Sequence, residues 1–520
     1  MPAPSSQNSA PTSRRSSLLR PFQLARLATV SLGARLSTHP ARRERALQRV
    51  VAQMARMHGL PQKIGQILAS AELDGDATHF ASLTAHRASA LPAAEARRIV
   101  AAHLGRPLEE VFSEFNPIGI AASIGQVHRA RLRDGREVAV KFQHPGIAAT
   151  LGADLRALGW LVTPLGNLRR DFDLAGYRAE LGERLAAELD YERESAAIRE
   201  FAAQRGGAPD VLLPECCEEL RRPGLLVMTW VDGADIETAR RWSTDVRQPL
   251  ARCLVRLFLE GALRDRLLHA DPHPGNYRFL AQGPAGAPAV GLLDFGSMHS
   301  LRPEESTAIA AVITAARTGA IDEAFAWQFH LAFGYDPTAL APLRTLLPAV
   351  LRELLRPVAD PGDFSVSDWA PGESLAALLG PHRIAYRVAA PPSFLFLIRA
   401  WHGLVHYLRA LACPVDWSGL AAPLLPASAP IAPVEAPRPT PGTVLHIDVR
   451  QDDRELVRLQ LPGRSAASLA SLIPLEHRAR LDARGFDPAR LSARARETGY
   501  APQELFRLSE AGRTVRIWIE

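Results

Sequence analysis

The chain has 520 residues, 47% of them apolar and 22% charged, with 36 glycines and 41 prolines. At roughly 100–200 residues per domain this length predicts two to four domains with sizeable cores, and the composition excludes wholesale disorder, collagen and coiled coil. The net charge of +6 is small for the length; it permits a weak attraction to anionic membrane and gives no reason to expect nucleic acid as a partner.

Residues 1–43 lack any acidic residue and are rich in Ser and Arg. They read as a solvated basic tail, with a mitochondrial presequence as the alternative; residues 1–20 are expected to be disordered. Residues 21–116 read as mostly helical. From 117 the apolar period changes to that of strands. Segments 126–132 and 136–142 flank Asp134-Gly135, the signal of a hairpin with a two-residue turn. A long helix is expected over 172–203 and an apolar strand over 224–231. Helix returns near Pro249 and runs to Leu268. A Pro- and Gly-punctuated loop, 269–276, precedes short strands at 277–280 and 290–293.

The chain is then helical from 303 to about 411. Its most apolar stretch, 393–411, carries Arg399, His402, His406 and Arg409. It therefore reads as a core helix rather than a membrane span. Seven prolines between 423 and 441 make a semi-rigid linker that implies few contacts across it. Beyond it, 443–520 read as a small α+β module. Three alternating strands (445–449, 457–461, 515–519) are expected, with helical segments between the second and third. Cys216, Cys217, Cys253 and Cys413 show neither metal spacing nor a disulfide framework, which points to a reducing, cytoplasmic setting.

Lysine occurs only twice among the 61 basic residues, at Lys63 and Lys141. A position that stays Lys where Arg serves everywhere else is a candidate for needing a compact ammonium. Lys141 ends Val138-Ala139-Val140-Lys141 on the second hairpin strand, where a lysine can reach nucleotide phosphates. His269-Ala270-Asp271-Pro272-His273-Pro274-Gly275-Asn276 has Asn five residues after Asp. In phosphoryl-transfer loops of that spacing the Asp orients the attacking hydroxyl or water and the Asn binds metal. A Pro-rich turn, or a hydrolytic metal site of His269, Asp271 and His273, are the competing readings. Asp294-Phe295-Gly296 ends an apolar strand 23 residues after Asp271, where a Mg²⁺-binding turn belongs. Before the hairpin, Ala121, Ala122 and Ser123 stand where a glycine-rich phosphate cover would be more flexible.

In this order and spacing the chain resembles the UbiB/AarF-type atypical kinases, protein-kinase-like proteins linked to isoprenoid quinone metabolism. The matching residues are Lys63-Ile64-Gly65-Gln66, Ser123-Ile124-Gly125-Gln126-Val127-His128, Val138–Lys141, Glu188-Leu189-Asp190-Tyr191 with Glu194, His269–Asn276 and Asp294–Gly296. The resemblance spans about residues 50–410. It implies an α+β, two-lobed protein-kinase-like fold: a helical N-terminal extension (21–116), an N-lobe (117–232), a C-lobe (233–422), the linker (423–442) and the accessory module. It implies ATP and Mg²⁺, with Asn276 and Asp294 holding the metal, Lys141 on the phosphates and Asp271 at the acceptor. Lys63 and Gln66 belong to a helix that folds over the nucleotide site. Ala121, Ala122, Ser123 and Gln126 line the nucleotide, and Met228-Thr229-Trp230-Val231 is the adenine hinge, with backbone groups such as those of Met228 and Trp230 binding the base edge.

Glu188 lies about 200° from Asp190 on a straight helix, so one helix cannot aim both at one lysine. Glu194 is assigned to Lys141, and Glu188 and Asp190 to Lys63 or metal. The expected activity is kinase or ATPase, with water or a small lipid-like or quinone-precursor acceptor and a peripheral contact with the inner membrane. A small-molecule phosphotransferase resembling aminoglycoside or choline kinases, and a nucleotide-binding scaffold of low turnover, stay open as alternatives.

Overall fold

The computed structural model describes residues 90–520 apart from 122–123, 148–188, 206, 368, 392, 427–443, 453, 470–486 and 511. Lys63, Gln66, Ala122, Ser123, Glu188 and most of the proline linker lie outside the described residues.

The first lobe is a five-stranded antiparallel sheet with one helix on each face. Its strands are β1 (Phe112–Phe115), β2 (Ile120–Ala121), β3 (Gly125–Leu132), β4 (Glu137–Gln143) and β6 (Leu225–Thr229), in the order β1-β3-β4-β6 with β2 on β3; a short β5 (Val211–Leu212) belongs to another sheet. Alternation decides what each face carries. Ala130, Leu132, Val138, Val140, Phe142, Leu225 and Val227 pack on α1 (Ala93–Leu104) through Ala96, Ile99, Val100 and Leu104. Ala139, Leu226 and Met228 face the other way, against Tyr191, Ile198 and Phe201 of α2 (Tyr191–Arg205). β1 falls inside the stretch expected to be helical; Phe112 is buried there and pairs with Leu132, so tertiary pairing outweighs the weak helical pattern. The hairpin turn is one residue longer than the Asp-Gly signal implies. Leu132 N–H reaches Arg136 C=O (2.8 Å) and Gly135 takes the positive φ of 92°.

The second lobe is mainly helical. α3 (Thr244–Glu260) starts five residues before the expected Pro249, which it contains. α4 (Pro303–Thr318), α5 (Leu347–Ala359) and α6 (Phe394–Leu411) follow. Two small ladders sit at the junction of the lobes: β8 (Tyr277–Leu280) pairs with β9 (Ala289–Leu292), and β7 (Leu267–His269) pairs with β10 (Met298–Ser300). Among the described residues, no helix is long and apolar enough to cross a membrane.

The C-terminal module is a four-stranded antiparallel sheet, β12-β11-β14-β13, with β11 (Val444–Gln451), β12 (Arg454–Pro462), β13 (Gln503–Glu510), β14 (Arg513–Ile519) and a helix α7 (Pro488–Glu497). β13 lies where only helix was expected; the adjacent Leu505 and Phe506, at a shift in its register on β14, break the alternation that would mark a strand. The expectation of few contacts with the rest of the chain is also corrected. Leu445, Ile447, Leu459, Leu461, Val515 and Ile517 share one buried cluster with Val312, Phe333, Leu340, Leu347 and Leu351 of the helical lobe. A proline linker constrains the chain between two units but says nothing about the faces those units present to each other.

Candidate active site

β4 turns Lys141 toward the lobe junction because Val140 and Phe142 are committed to α1. Lys141 is 6% exposed. Its Nζ donates to both Glu194 oxygens (2.7 and 2.9 Å) and to Asp294 Oδ2 (3.1 Å). Two acids therefore share one ammonium. Burial works to lower the Lys141 pKa, but Asp294 and Glu194 outweigh it and hold the ammonium well above the ordinary lysine value. Burial pushes the Glu194 carboxyl up to about 7; Lys141 opposes the rise and Asp294 adds to it.

Asp190 does not join this cluster. It precedes α2, and its Oδ1 accepts the N–H groups of Glu192 (3.0 Å) and Arg193 (3.1 Å). Those are orphan donors at a helix start, which an acid before the first turn satisfies. Glu194, one turn in, has the direction that reaches Lys141.

The Asp294-Phe295-Gly296 turn is held from three sides. Gly296 N–H reaches Asp294 Oδ1 (2.9 Å) and Phe295 N–H reaches Glu194 Oε1 (3.4 Å). The Phe295 ring stands edge-on to Phe201 (5.5 Å between centroids) and to His269 (5.7 Å). His269 Nε2 lies 2.7 Å from Asp294 C=O, and Tyr277 Oη lies 3.2 Å from His269 Nδ1. A carbonyl only accepts, so Nε2 carries the proton and Nδ1 accepts from Tyr277. Burial lowers the His269 pKa, in keeping with a neutral ring. Both ring nitrogens are thus engaged, which removes His269 from any hydrolytic metal site. Among the described residues no group of three His, Cys, Asp or Glu side chains could hold a metal on its own.

Asp271 is 8% exposed and pairs through Oδ1 with the buried guanidinium of Arg399 on α6. Asn276 donates its amide to Asp271 C=O (3.3 Å), and its own C=O accepts from Leu293 N–H (2.9 Å), one residue before Asp294. Asn276 and Asp294 thereby flank the same end of the β8–β9 ladder. With the Asn276 nitrogen engaged, its amide oxygen is the atom left for a ligand.

Two expectations need correction. Gln126 is fully buried on the α1 side of β3, opposite in pleat to Lys141. It accepts from Leu91 N–H (2.7 Å) and meets His128 Nε2 (2.6 Å), so it ties the N-terminal segment to the sheet and cannot line a nucleotide. Trp230 cannot offer its N–H to adenine, because that group donates to Glu137 C=O (2.9 Å). Met228 does face the Lys141 side, across from Ala139. Ala121 sits on β2, paired with Gln126. The flanking glycines serve packing: a Cβ at Gly125 would lie 2.1 Å from Phe142 C=O, and one at Gly119 would lie 2.0 Å from Gln126 Nε2. The sequence drew no attention to Tyr277 or to Arg399 as site residues. Arg399 stood out only as a charge in an apolar helix, and a buried charge of that kind needs a partner.

The family described as "ABC1 atypical kinase-like domain" matches residues 84–324, the stretch that contains Lys141, Glu194, Asp271, Asn276 and Asp294. Residues 84–324 resemble an ABC1 atypical kinase-like domain. It is 27% identical over 353 residues to the mitochondrial atypical kinase COQ8B of Rattus norvegicus, covering 66% of this chain and 65% of that protein. It is 31% identical over 261 residues to the probable protein kinase UbiB of Marinobacter nauticus, covering 48% and 47%. A solved structure of Rv3197 with erythromycin, from Mycobacterium tuberculosis, superposes with a TM-score of 0.52 at 26% identity, covering 74% of this chain and 97% of that one. The expected α+β, kinase-like fold is thus found. The chain spans about half to two thirds of the length of the curated relatives it matches. The ABC1 match ends at residue 324, before α6 and the C-terminal module.

Proposed function

We propose that the chain is an ATP- and Mg²⁺-dependent kinase or ATPase of the UbiB/AarF type. The observation that carries this is the single ammonium of Lys141 set between Glu194 and Asp294, beside a loop that presents Asp271 and Asn276. Lys141 binds the nucleotide phosphates, and Glu194 holds it in place. Asp271 orients the acceptor, water or a hydroxyl. Asn276 and Asp294 offer hard oxygen donors on adjacent ends of one ladder. That set is too small for a metal alone but fits Mg²⁺, which usually completes its shell with phosphates and water. The bound ion would neutralise phosphate charge. What the protein itself contributes is positioning and fixed charge. Met228 closes the base end of the site.

The acceptor is water or a lipid-like molecule in isoprenoid quinone or lipid metabolism. Two features support that class: the likeness to COQ8B and UbiB, and a cavity of about 140 Å³ in the helical lobe with almost wholly apolar walls, including Phe258, Ile313, Phe329, Leu355, Phe394 and Trp401. We place the protein in the cytoplasm with a peripheral contact at the inner membrane, which the small positive charge of +6 permits. We keep the division into lobes at 232–233 and the module from 443 as the working boundaries. The test is phosphate release from ATP. Wild type should release phosphate only with Mg²⁺, and Asp294→Asn should lose it; equal release by both proteins would overturn the reading.

A further inference from the structure

α6 lies beyond the stretch that matches the ABC1 family, yet it holds the candidate catalytic loop at three points on one face. Arg399, Gly403 and Tyr407 follow one another at i, i+4 and i+8, so they stack along one side of the helix. Arg399 pairs with Asp271 Oδ1. Gly403 lies directly against the next residue: a Cβ there would stand 1.9 Å from Pro272 Cβ. Tyr407 Oη donates to Pro272 C=O (2.9 Å), and its ring packs against Tyr277 at 4.7 Å between centroids.

The contact is specific in chemistry as well as in place. Arg399 is 5% exposed and Asp271 is 8% exposed, so neither is a surface charge that met a neighbour by chance. A buried guanidinium is costly even when it is paired, and a hydrophobic residue of similar size would pack more cheaply. A guanidinium also holds its direction better than an ammonium does, because its donors form a rigid planar fork. A carboxylate is planar too, so fixing Oδ1 settles the rotation of the whole group and hence the direction of Oδ2.

We propose that Arg399 is a positioning residue for Asp271: α6 reaches across from outside the ABC1 domain and sets the orientation of the carboxylate that meets the acceptor. This rests on the reading of Asp271 as the residue that orients the acceptor. The side-chain partner of Arg399 at the site is Asp271, so it acts on the acceptor through that carboxylate. Its effect passes through Asp271 alone, and that gives the proposal its signature. Losing Arg399 slows turnover without weakening nucleotide binding, and it changes nothing once Asp271 is gone.

The test is steady-state phosphate release by the full chain with Mg²⁺ and varied ATP. Wild type is compared with Arg399→Met, Arg399→Lys, Asp271→Asn and the double variant Asp271→Asn/Arg399→Met. Arg399→Met should lower kcat by about 10- to 100-fold, the scale of a misplaced catalytic group. KM for ATP should stay within about twofold, since the nucleotide contacts are untouched. Arg399→Lys should recover part of kcat. The double variant should be no slower than Asp271→Asn.

Arg399→Met leaves a buried acid without its counter-charge. If that variant does not fold, the lysine variant, which keeps the charge, decides: a fall in kcat at constant KM is expected, and wild-type kcat overturns the proposal. A loss from Arg399→Met that is equally large with Asp271 and without it would make Arg399 a support of the fold only. Wild-type kcat in Arg399→Met would also overturn the proposal. Turnover that survives Asp271→Asn is a separate failure, because it sinks the role of Asp271 itself.

Discussion

Gln126 and Lys141 lie on neighbouring strands, both buried, and the pleat decides that they do different work. Lys141 faces Glu194 and Asp294, whereas Gln126 faces α1 and bonds Leu91 and His128. Gln126→Leu removes a polar group whose partners stay buried. It should cost about 1–3 kcal/mol, the penalty for unsatisfied buried donors. Denaturant unfolding should record that loss while ATP affinity stays at the wild-type value. A fall in affinity with unchanged stability would return Gln126 to the nucleotide site. The same residue marks a limit of motif reading. Gly125-Gln126-Val127 was legible as part of a functional segment, but the segment's role divides by face. Only the register of β3 on β4, with Val127 opposite Lys141, says which residue looks toward the site.

At the scale of elements, Lys141, Asp271, Asn276 and Asp294 were legible because each occupies a short motif whose chemistry constrains its neighbours. Helical geometry separated Glu188 from Asp190 but left Asp190 and Glu194 on one face; the choice of Glu194 for Lys141 followed the family resemblance, and the structure brings those two groups to 2.7 Å. The reason Asp190 stands apart was not legible: a helix start is needed there to make it a cap. Nor was the grip of α6 on the catalytic loop, since Arg399 and Asp271 are 128 residues apart and no local pattern links them. Gly403 is the element's point of closest approach. Ala normally stabilises a helix interior over Gly by about 1 kcal/mol. Here the added methyl would overlap Pro272, and overpacking of this kind costs about 1–3 kcal/mol. Gly403→Ala should therefore lower both the melting temperature and the rate of phosphate release. A more stable variant with wild-type turnover would mean that α6 and the loop are not in contact.

For the whole molecule, the two lobes and the module are joined by different means. The lobes meet through the cluster that includes Ala139, Met228, Tyr191, Phe201 and Phe295, which is also the wall behind the Lys141 site. The module meets the helical lobe through Leu445, Ile447, Leu459 and Ile517, all buried with Leu347 and Leu351. Removing 443–520 would leave that apolar face of the helical lobe open to water. The truncated chain should aggregate or melt at a lower temperature than the full chain, as size-exclusion chromatography and thermal unfolding would record; a monomeric product with unchanged melting would restore the module as an independent unit. Strand alternation pointed to the module's α+β character, but such periodicity marks only which side of a strand is apolar and not what covers it.

Whether Lys141 meets nucleotide phosphate is decided by calorimetric titration of ATP with Mg²⁺ into wild type and Lys141→Arg. Arginine keeps the charge, but a planar guanidinium cannot occupy the compact position between Glu194 and Asp294. Affinity should fall by about tenfold or more, about 1.4 kcal/mol, in a variant whose circular dichroism matches wild type. Equal affinity in two equally folded proteins would contradict it.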